Sequence, residues 1–178
     1  MKPTSLAEQI PIDVPLNRAP FFLERFFTER RTPEGNETTL HLTVPGLPRG
    51  VTLEHDVLAT FVREGRWKSW NDAAELSWHA DGGGPFPTFH GELKILADED
   101  YNSAILAIKG SYTPPGGAAG RVFDATLGRK IAHGTAQQLL RELKSAVEEY
   151  HVDEERTRAS APSSKLEDSD ARPPGEVH

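Results

Sequence analysis

Apolar and polar residues alternate with two different periods along the chain. From Gly120 to His151, apolar residues recur every three or four positions, which predicts one long helix with a single apolar face. That face consists of Ala132, Ala136, Leu139, Leu140, Leu143, Val147 and Tyr150. At about 1.5 Å per residue, a helix of this extent would be roughly 45 Å long, which is enough to cross a small domain.

Two glycines interrupt the helical pattern, at Gly128 and Gly134. Each costs about 1 kcal/mol relative to alanine in the interior of a helix. Glycines in such positions favour a kink, or the close approach of another part of the molecule to the backbone. For Gly134 the simpler interpretation is preferred, namely a small residue tolerated at a packing position.

Upstream of the helix, apolar and polar residues alternate over short runs, a pattern typical of strands. The run from Ala7 to Val14 contains Pro11, and proline favours the edge of a sheet because it has no amide hydrogen to donate. Five further runs are separated by loops of hairpin size, which predicts an antiparallel meander. They extend from Thr38 to Val44, Val51 to Arg63, Ala73 to Ala80, Phe86 to Leu96 and Ser103 to Tyr112.

The segment from Phe21 to Glu29 allows two interpretations. The apolar pairs at positions 22–23 and 26–27 lie at helical spacing, and Pro20 precedes them as proline often does in the first turn of a helix. A short amphipathic helix is therefore favoured, although a strand rich in phenylalanine would have nearly the same composition.

The order of these elements predicts an α+β fold in which a curved antiparallel sheet wraps around one long C-terminal α-helix. The sheet has one apolar face to bury, and only the long helix can cover it. Because a curved sheet need not be filled completely, the space beneath the helix is a place where a small apolar ligand could bind.

Length and composition limit the domain organisation. The chain has 178 residues, of which 37% are hydrophobic, and this is enough for one domain with its own core. We expect a single domain at residues 7–151, a flexible N-terminus at residues 1–6 and a disordered polar tail at residues 152–178. The tail is poor in apolar residues, so burial cannot offset the entropy that it would lose on ordering.

Composition also argues against several classes of function. No apolar run approaches the length of a membrane span and no signal peptide is recognisable, so we expect a cytoplasmic protein without a membrane span. The absence of cysteine excludes disulfides and thiolate metal ligands. A net charge of -7 argues against nucleic acid as a partner. The scattered histidines and the spacing of the glycine-rich segments predict neither a metal site nor a cofactor.

Four short segments carry motifs beyond the strand pattern. They are LSWHA at 76–80, GPFPTFHGEL at 84–93, LAIKGSYTPPGG at 106–117 and GRVFD at 120–124. Together with the closing helix, they resemble uncharacterised bacterial members of the SRPBCC superfamily, also called START/Bet v 1-like. The resemblance covers residues 38–151 and is most specific at the GSYTPPGG turn. This chain departs from the superfamily in having at most one clear helix, at 21–29, where two are usual.

The resemblance implies a helix-grip fold with a hydrophobic cavity between the sheet and the C-terminal helix. It also implies that the protein binds or carries a small apolar molecule, such as a lipid or a polyketide-like compound. The inward faces of the strands and of the helix would then form the ligand-binding wall. The residues expected there are Trp78, Phe89, Leu93, Leu106, Tyr112, Phe123, Leu127 and Ile131.

Two other functions stay open. In a polyketide cyclase- or dehydratase-like enzyme, Tyr112, Asp124 or His133 would orient or protonate an apolar carbonyl substrate. Ligand binding is favoured over this because the inward faces offer almost no paired titratable groups, which acid–base catalysis requires. The second is a protein-interaction module with a filled core. It would bind a protein partner through the outer sheet face or through the loop that carries Trp67 and Trp70.

Overall fold

The computed structural model describes residues 3–32, 37–44, 53–62, 73–82, 87–99, 102–114 and 125–161. These ranges contain β1 (Thr4–Ile12), α1 (Ala19–Glu29), β2 (Glu37–Val44), β3 (Leu53–Val62), β4 (Ala73–Ala80), β5 (Thr88–Ala97), β6 (Ala104–Thr113) and α2 (Ala125–Ser160). In this part of the chain, neither helix combines the length and the apolar character that crossing a membrane requires.

The six strands form one antiparallel sheet in the order β1-β6-β5-β4-β3-β2. Strands β2 to β6 follow one another as the predicted meander, and β1 joins the sheet beside β6. The predictions of the meander and of an edge position for the strand that contains Pro11 are both confirmed. β1 and β2 are thus the two edges of the sheet.

The N-terminus is ordered further than expected, and the prediction of a flexible segment at residues 1–6 is wrong from Thr4 onward. Thr4 pairs with Tyr112 and Leu6 with Gly110, so both belong to β1. Leu6 is 2% exposed and lies in the core. The cause is burial, because the apolar alternation of β1 begins at Leu6 and carries the strand toward the N-terminus.

α1 resolves the ambiguity at Phe21 to Glu29 in favour of a helix. Its buried residues are Ala19, Phe22, Leu23, Phe26 and Phe27, which fall on one helical stripe, whereas Phe21 points away and is 62% exposed. The ring of Phe27 stacks on that of Phe61 in β3, with centroids 4.2 Å apart. The phenylalanine-rich stripe therefore anchors α1 to the inner face of the sheet.

α2 ends at Ser160, nine residues beyond the predicted end at His151, so the expected disordered tail cannot begin at residue 152. Local ion pairs account for the extension: Arg156 pairs with Asp153 at 2.7 Å, and Arg158 pairs with Glu154 and Glu155. Pairs at these spacings stabilise a helix without any apolar contact. Residues 115–124 and 162–178, where the predictions placed the start of the helix and the rest of the tail, lie outside the described residues.

α2 contacts both edges of the sheet, approaching β1, β2 and β6. One helix can contact two opposite edges only if the sheet curves around it. α2 also runs in the same direction as β1, as three hydrogen bonds along its length demonstrate. They join Gln137 to Glu8, Lys144 to the carbonyl of Pro11, and Glu148 to the amide of Asp13. The core lies between the concave face of the sheet and the buried side of α2.

Candidate ligand-binding site

A row of three aromatic residues crosses the concave face of the sheet. Trp78 in β4 lies opposite Phe89 in β5, and Phe89 lies opposite Tyr112 in β6. All three are at most 2% exposed. The indole of Trp78 and the ring of Phe89 are stacked, with centroids 4.1 Å apart and an interplanar angle of 15°. The row forms a rigid apolar floor at the end of the sheet where β1 begins.

Two glycines make room for this floor. Gly91 and Gly110 lie opposite each other in β5 and β6. A Cβ added at Gly91 would lie 2.6 Å from both Phe89 Cζ and the Cα of Gly110, closer than real Cβ atoms come. The ring of Phe89 thus lies over bare backbone, which only glycine permits. Both glycines belong to segments on which the superfamily resemblance rests, and their packing gives a physical reason for those motifs.

Six of the eight residues predicted to form the wall have described side chains, and all six are buried. Besides the aromatic row, they are Leu93, Leu106 and Ile131, each at most 1% exposed. Phe123 and the side chain of Leu127 lie outside the described residues. The role of these residues as a ligand wall stays a prediction.

The contacts of α2 with β1 show in which direction its first turns extend relative to the aromatic row. His133 and Gln137 both contact Glu8 in β1. Thr4, which pairs with Tyr112 at the end of the aromatic row, precedes Glu8 by four residues, or about 13 Å of strand. Going back from Gln137 to Gly128 covers a similar distance, about 14 Å of helix. The first turns of α2 therefore extend toward the aromatic row.

Gly128 lies next to an open space. It is buried, and it occupies the same helical stripe as Ile131, Ala132 and Thr135, which are also buried. Among the described residues, a Cβ added at Gly128 would meet no atom within 4 Å outside its immediate helix environment. Of the two explanations expected for this glycine, a close approach by another part of the molecule is not found among the described residues, where the position offers room instead, and the kink stays a prediction.

Two buried polar atoms near these elements have no hydrogen-bond partner within the described part of the chain. They are the indole nitrogen, Nε1, of Trp78 and the hydroxyl, Oγ1, of Thr135. Trp78 is 1% exposed and Thr135 is fully buried. An unsatisfied buried polar group costs about 1–3 kcal/mol, so both atoms are unusual features of a folded interior.

A carboxylate–imidazole pair joins β1 to α2. His133 Nδ1 lies 2.5 Å from Glu8 Oε1, and Gln137 Nε2 donates a hydrogen bond to the second oxygen of Glu8 at 3.2 Å. Sequence reasoning considered His133 but missed Glu8. The signal was present, because Glu8 is a charged residue at an inward position of the alternating strand, between Leu6 and Ile10.

Of the polar residues proposed for an enzyme, the two that the structure describes, Tyr112 and His133, are not brought together. Tyr112 lies opposite Thr4, whereas His133 pairs with Glu8, so the two side chains start from rows about 13 Å apart along β1. Asp124 lies outside the described residues, as do Trp67 and Trp70. The pairing with Glu8 gives His133 a structural role, which is to fasten α2 to the edge of the sheet.

Two other titratable groups, His41 and Glu142, have shifted pKa values. His41 Nδ1 lies 2.8 Å from Asp56 Oδ1 on the surface, and this contact raises the pKa of His41. Burial raises the pKa of Glu142 on α2, although a hydrogen bond from Gln138 opposes the shift. Within the described ranges, no three His, Asp or Glu side chains are grouped so that they could hold a metal ion.

Solved structures similar to this chain include an uncharacterised protein from Bacillus thuringiensis, 12% identical with a TM-score of 0.51, over 81% of this chain and 98% of that one. Ara h 8.0201 is 11% identical with a TM-score of 0.50, over 85% of this chain and 99% of that one. The fold is a helix-grip fold.

A START superfamily protein from Mycobacterium smegmatis is also similar, with 10% identity and a TM-score of 0.49 over 82% of this chain and 98% of that one. No family model and no curated protein sequence matches the chain. Identities this low establish the helix-grip fold alone, because one fold carries many functions. The function must therefore be argued from the site.

Proposed function

We propose that the protein binds and carries a small hydrophobic molecule between the concave face of the sheet and the N-terminal segment of α2, which we define as residues 128–136. The observation that carries the proposal is the open space beside the buried Gly128. Protein interiors are normally close-packed, so room beside a buried backbone favours a position that a guest fills.

The surroundings of this space support the proposal. The aromatic row of Trp78, Phe89 and Tyr112 is apolar and lies toward the same end of the sheet. The N-terminal segment of α2 adds only one large apolar side chain to it, that of Ile131, beside Ala132 and Ala136. A floor of stacked aromatic rings beneath a helix with small side chains suits a flat or flexible apolar guest.

The enzyme hypothesis has less support. Acid–base catalysis needs a titratable group within hydrogen-bond reach of the reacting atoms. His133 is engaged by Glu8 at the edge of the sheet, away from the row that contains Tyr112.

Binding of N-phenyl-1-naphthylamine, a neutral apolar dye that fluoresces in apolar sites, tests the proposal. We expect saturable binding to the wild-type protein, at one dye per chain. Gly128→Leu should abolish it, because the added side chain would occupy the space. Ser145→Leu is the matched control: it adds a leucine to the same helix at an exposed position, and should bind the dye as the wild type does.

Loss of binding in both variants, or in neither, would contradict the proposed site. Absence of any saturable binding to the wild type would overturn the proposed function. Native mass spectrometry of the protein purified from its own host complements the titration, because a co-purifying apolar adduct would identify the class of guest.

A further inference from the structure

The indole nitrogen of Trp78 restricts the chemistry of the guest. Its side chain is 1% exposed and stacked on Phe89, and no described residue provides an acceptor for its N–H. An indole N–H can only donate a hydrogen bond. A guest that satisfies it must therefore present an oxygen or nitrogen acceptor, and a pure hydrocarbon would leave it unpaired.

The buried polar groups also restrict the charge of the guest. Among the described residues, the fully buried polar or charged side chains are Thr38 and Thr135. The hydroxyl of Thr38 lies 3.5 Å from the carbonyl oxygen of Phe27 and is thus engaged at the other edge of the sheet. Neither threonine carries a charge, and burying a carboxylate or a phosphate without a cation is strongly unfavourable.

We infer that the guest is a neutral, mainly apolar molecule with a carbonyl or hydroxyl oxygen that accepts a hydrogen bond from Trp78 Nε1. This inference rests on the proposed function and specifies the ligand class of the same site. The hydroxyl of Thr135, which can donate and accept, is a second buried group without a partner in this part of α2. Trp78 is then a specificity-determining residue as well as a part of the wall.

Three probes of similar size separate the possibilities: butyrophenone, a neutral ketone; n-butylbenzene, which has no acceptor; and 4-phenylbutanoate, which is anionic. Their affinities are measured by displacement of the dye from the wild-type protein. We expect the ketone to bind more tightly than the other two probes. Carboxylate binding as tight as that of the ketone would overturn the inference of a neutral guest.

The variant Trp78→Phe removes the N–H and keeps an aromatic ring for the stack on Phe89. We expect the ketone to bind about three- to ten-fold more weakly, the range expected for one lost hydrogen bond, while the hydrocarbon is unaffected. Equal changes for both probes, or no change for the ketone, would overturn the role of Trp78.

Because Trp78→Phe could fail to fold, a second measurement tests the same hydrogen bond in protein that keeps Trp78. In the double variant Trp67→Phe and Trp70→Phe, the indole proton of Trp78 gives the only tryptophan side-chain signal in a ¹⁵N-labelled sample. We expect butyrophenone to move this proton downfield, and n-butylbenzene to move it less. The same shift with both probes would show that no hydrogen bond forms. Failure of all three probes to bind would instead overturn the proposed function itself.

Discussion

The N-terminal segment of α2 (128–136) and its central segment (139–150) face the same core but are built differently. The buried residues of the N-terminal segment are mostly small: Gly128, Ala132, Thr135 and Ala136, with Ile131 as the exception. Those of the central segment are mostly large: Leu139, Leu140, Leu143 and Val147, with Ala146 as the exception. One continuous helix thus changes from small to large side chains along its buried stripe.

Polar contacts differ in the same way. The central segment is tied to its neighbours by Lys144 to the carbonyl of Pro11 at 2.8 Å, and by the amide of Asp13 to Glu148 at 2.7 Å. Tyr150 donates a hydrogen bond of 2.6 Å to Glu29 of α1. The N-terminal segment also has one tie, from His133 to Glu8 at 2.5 Å, but it differs in containing a buried hydroxyl, that of Thr135, without a partner among the described residues. The comparison shows that one helix has two differently built parts: its central segment is packed and stabilises the fold, while its N-terminal segment has the small side chains that the proposed guest site needs.

The largest effect should come from removing bulk in the central segment. Leu143→Ala deletes a fully buried side chain. We expect the free energy of unfolding to fall by about 2–5 kcal/mol, since lost burial and the new cavity add together. Urea unfolding followed by circular dichroism measures this. A loss below about 1 kcal/mol would mean that the central segment is as loosely packed as the N-terminal segment, and the comparison would fail.

Adding atoms should have opposite effects in the two segments. Ala146→Leu forces a larger side chain into the packed segment, where Ala146 is 7% exposed, and we expect a loss of about 1–3 kcal/mol. Gly128→Ala adds a methyl group where no atom of the described residues lies within 4 Å, and we expect a gain of about 1 kcal/mol from improved helix propensity. Both free energies come from the same urea titrations. Destabilisation by Gly128→Ala would mean that the space beside it is already filled.

The smallest expected effect on stability comes from the hydrogen bond between Tyr150 of the central segment and Glu29 of α1, and this effect depends on pH. The hydrogen bond from Tyr150, and next the one from Arg25, lower the pKa of Glu29 in the folded protein. A carboxyl whose pKa is lowered by folding adds stability above its ordinary value, about 4.5, and loses this contribution as the pH falls through the folded value.

Tyr150→Phe removes that hydroxyl, so the wild type should be the more stable protein near neutral pH. The difference in urea midpoint between the two should shrink as the pH falls below about 4.5. A difference that stays constant across this range would show that the hydrogen bond to Glu29 is not its source.

The strands were predictable because each has one buried face and therefore a strict alternation. β4 begins and ends at the predicted residues, Ala73 and Ala80. The end of α2 was not predictable from its apolar stripe, because the last turns are held by charged pairs such as Arg156 with Asp153. The helical periodicity of apolar residues reflects burial, so it ends where the helix leaves the core.

The site was predictable only as a set of inward faces. Alternation placed Trp78, Phe89 and Tyr112 on one face, but it could not reveal that Trp78 lacks an acceptor. The contact of Glu8 with His133 joins residues separated by 125 positions, which no local pattern encodes. In the sequence, Gly128 showed only that a side chain is missing. The structure was needed to distinguish open space beside the glycine from close contact with another part of the molecule.

Xenon binding followed by NMR of labelled methyl groups tests the central claim most directly, because xenon enters unfilled apolar space in proteins. Under xenon pressure, we predict large chemical-shift changes for the methyl groups of Ile131 in the N-terminal segment of α2, and small changes for Leu143 and Val147 in the central segment. Unchanged Ile131 signals, or changes as large at Leu143 and Val147, would contradict the division of α2 into a packed segment and a segment with room for a guest.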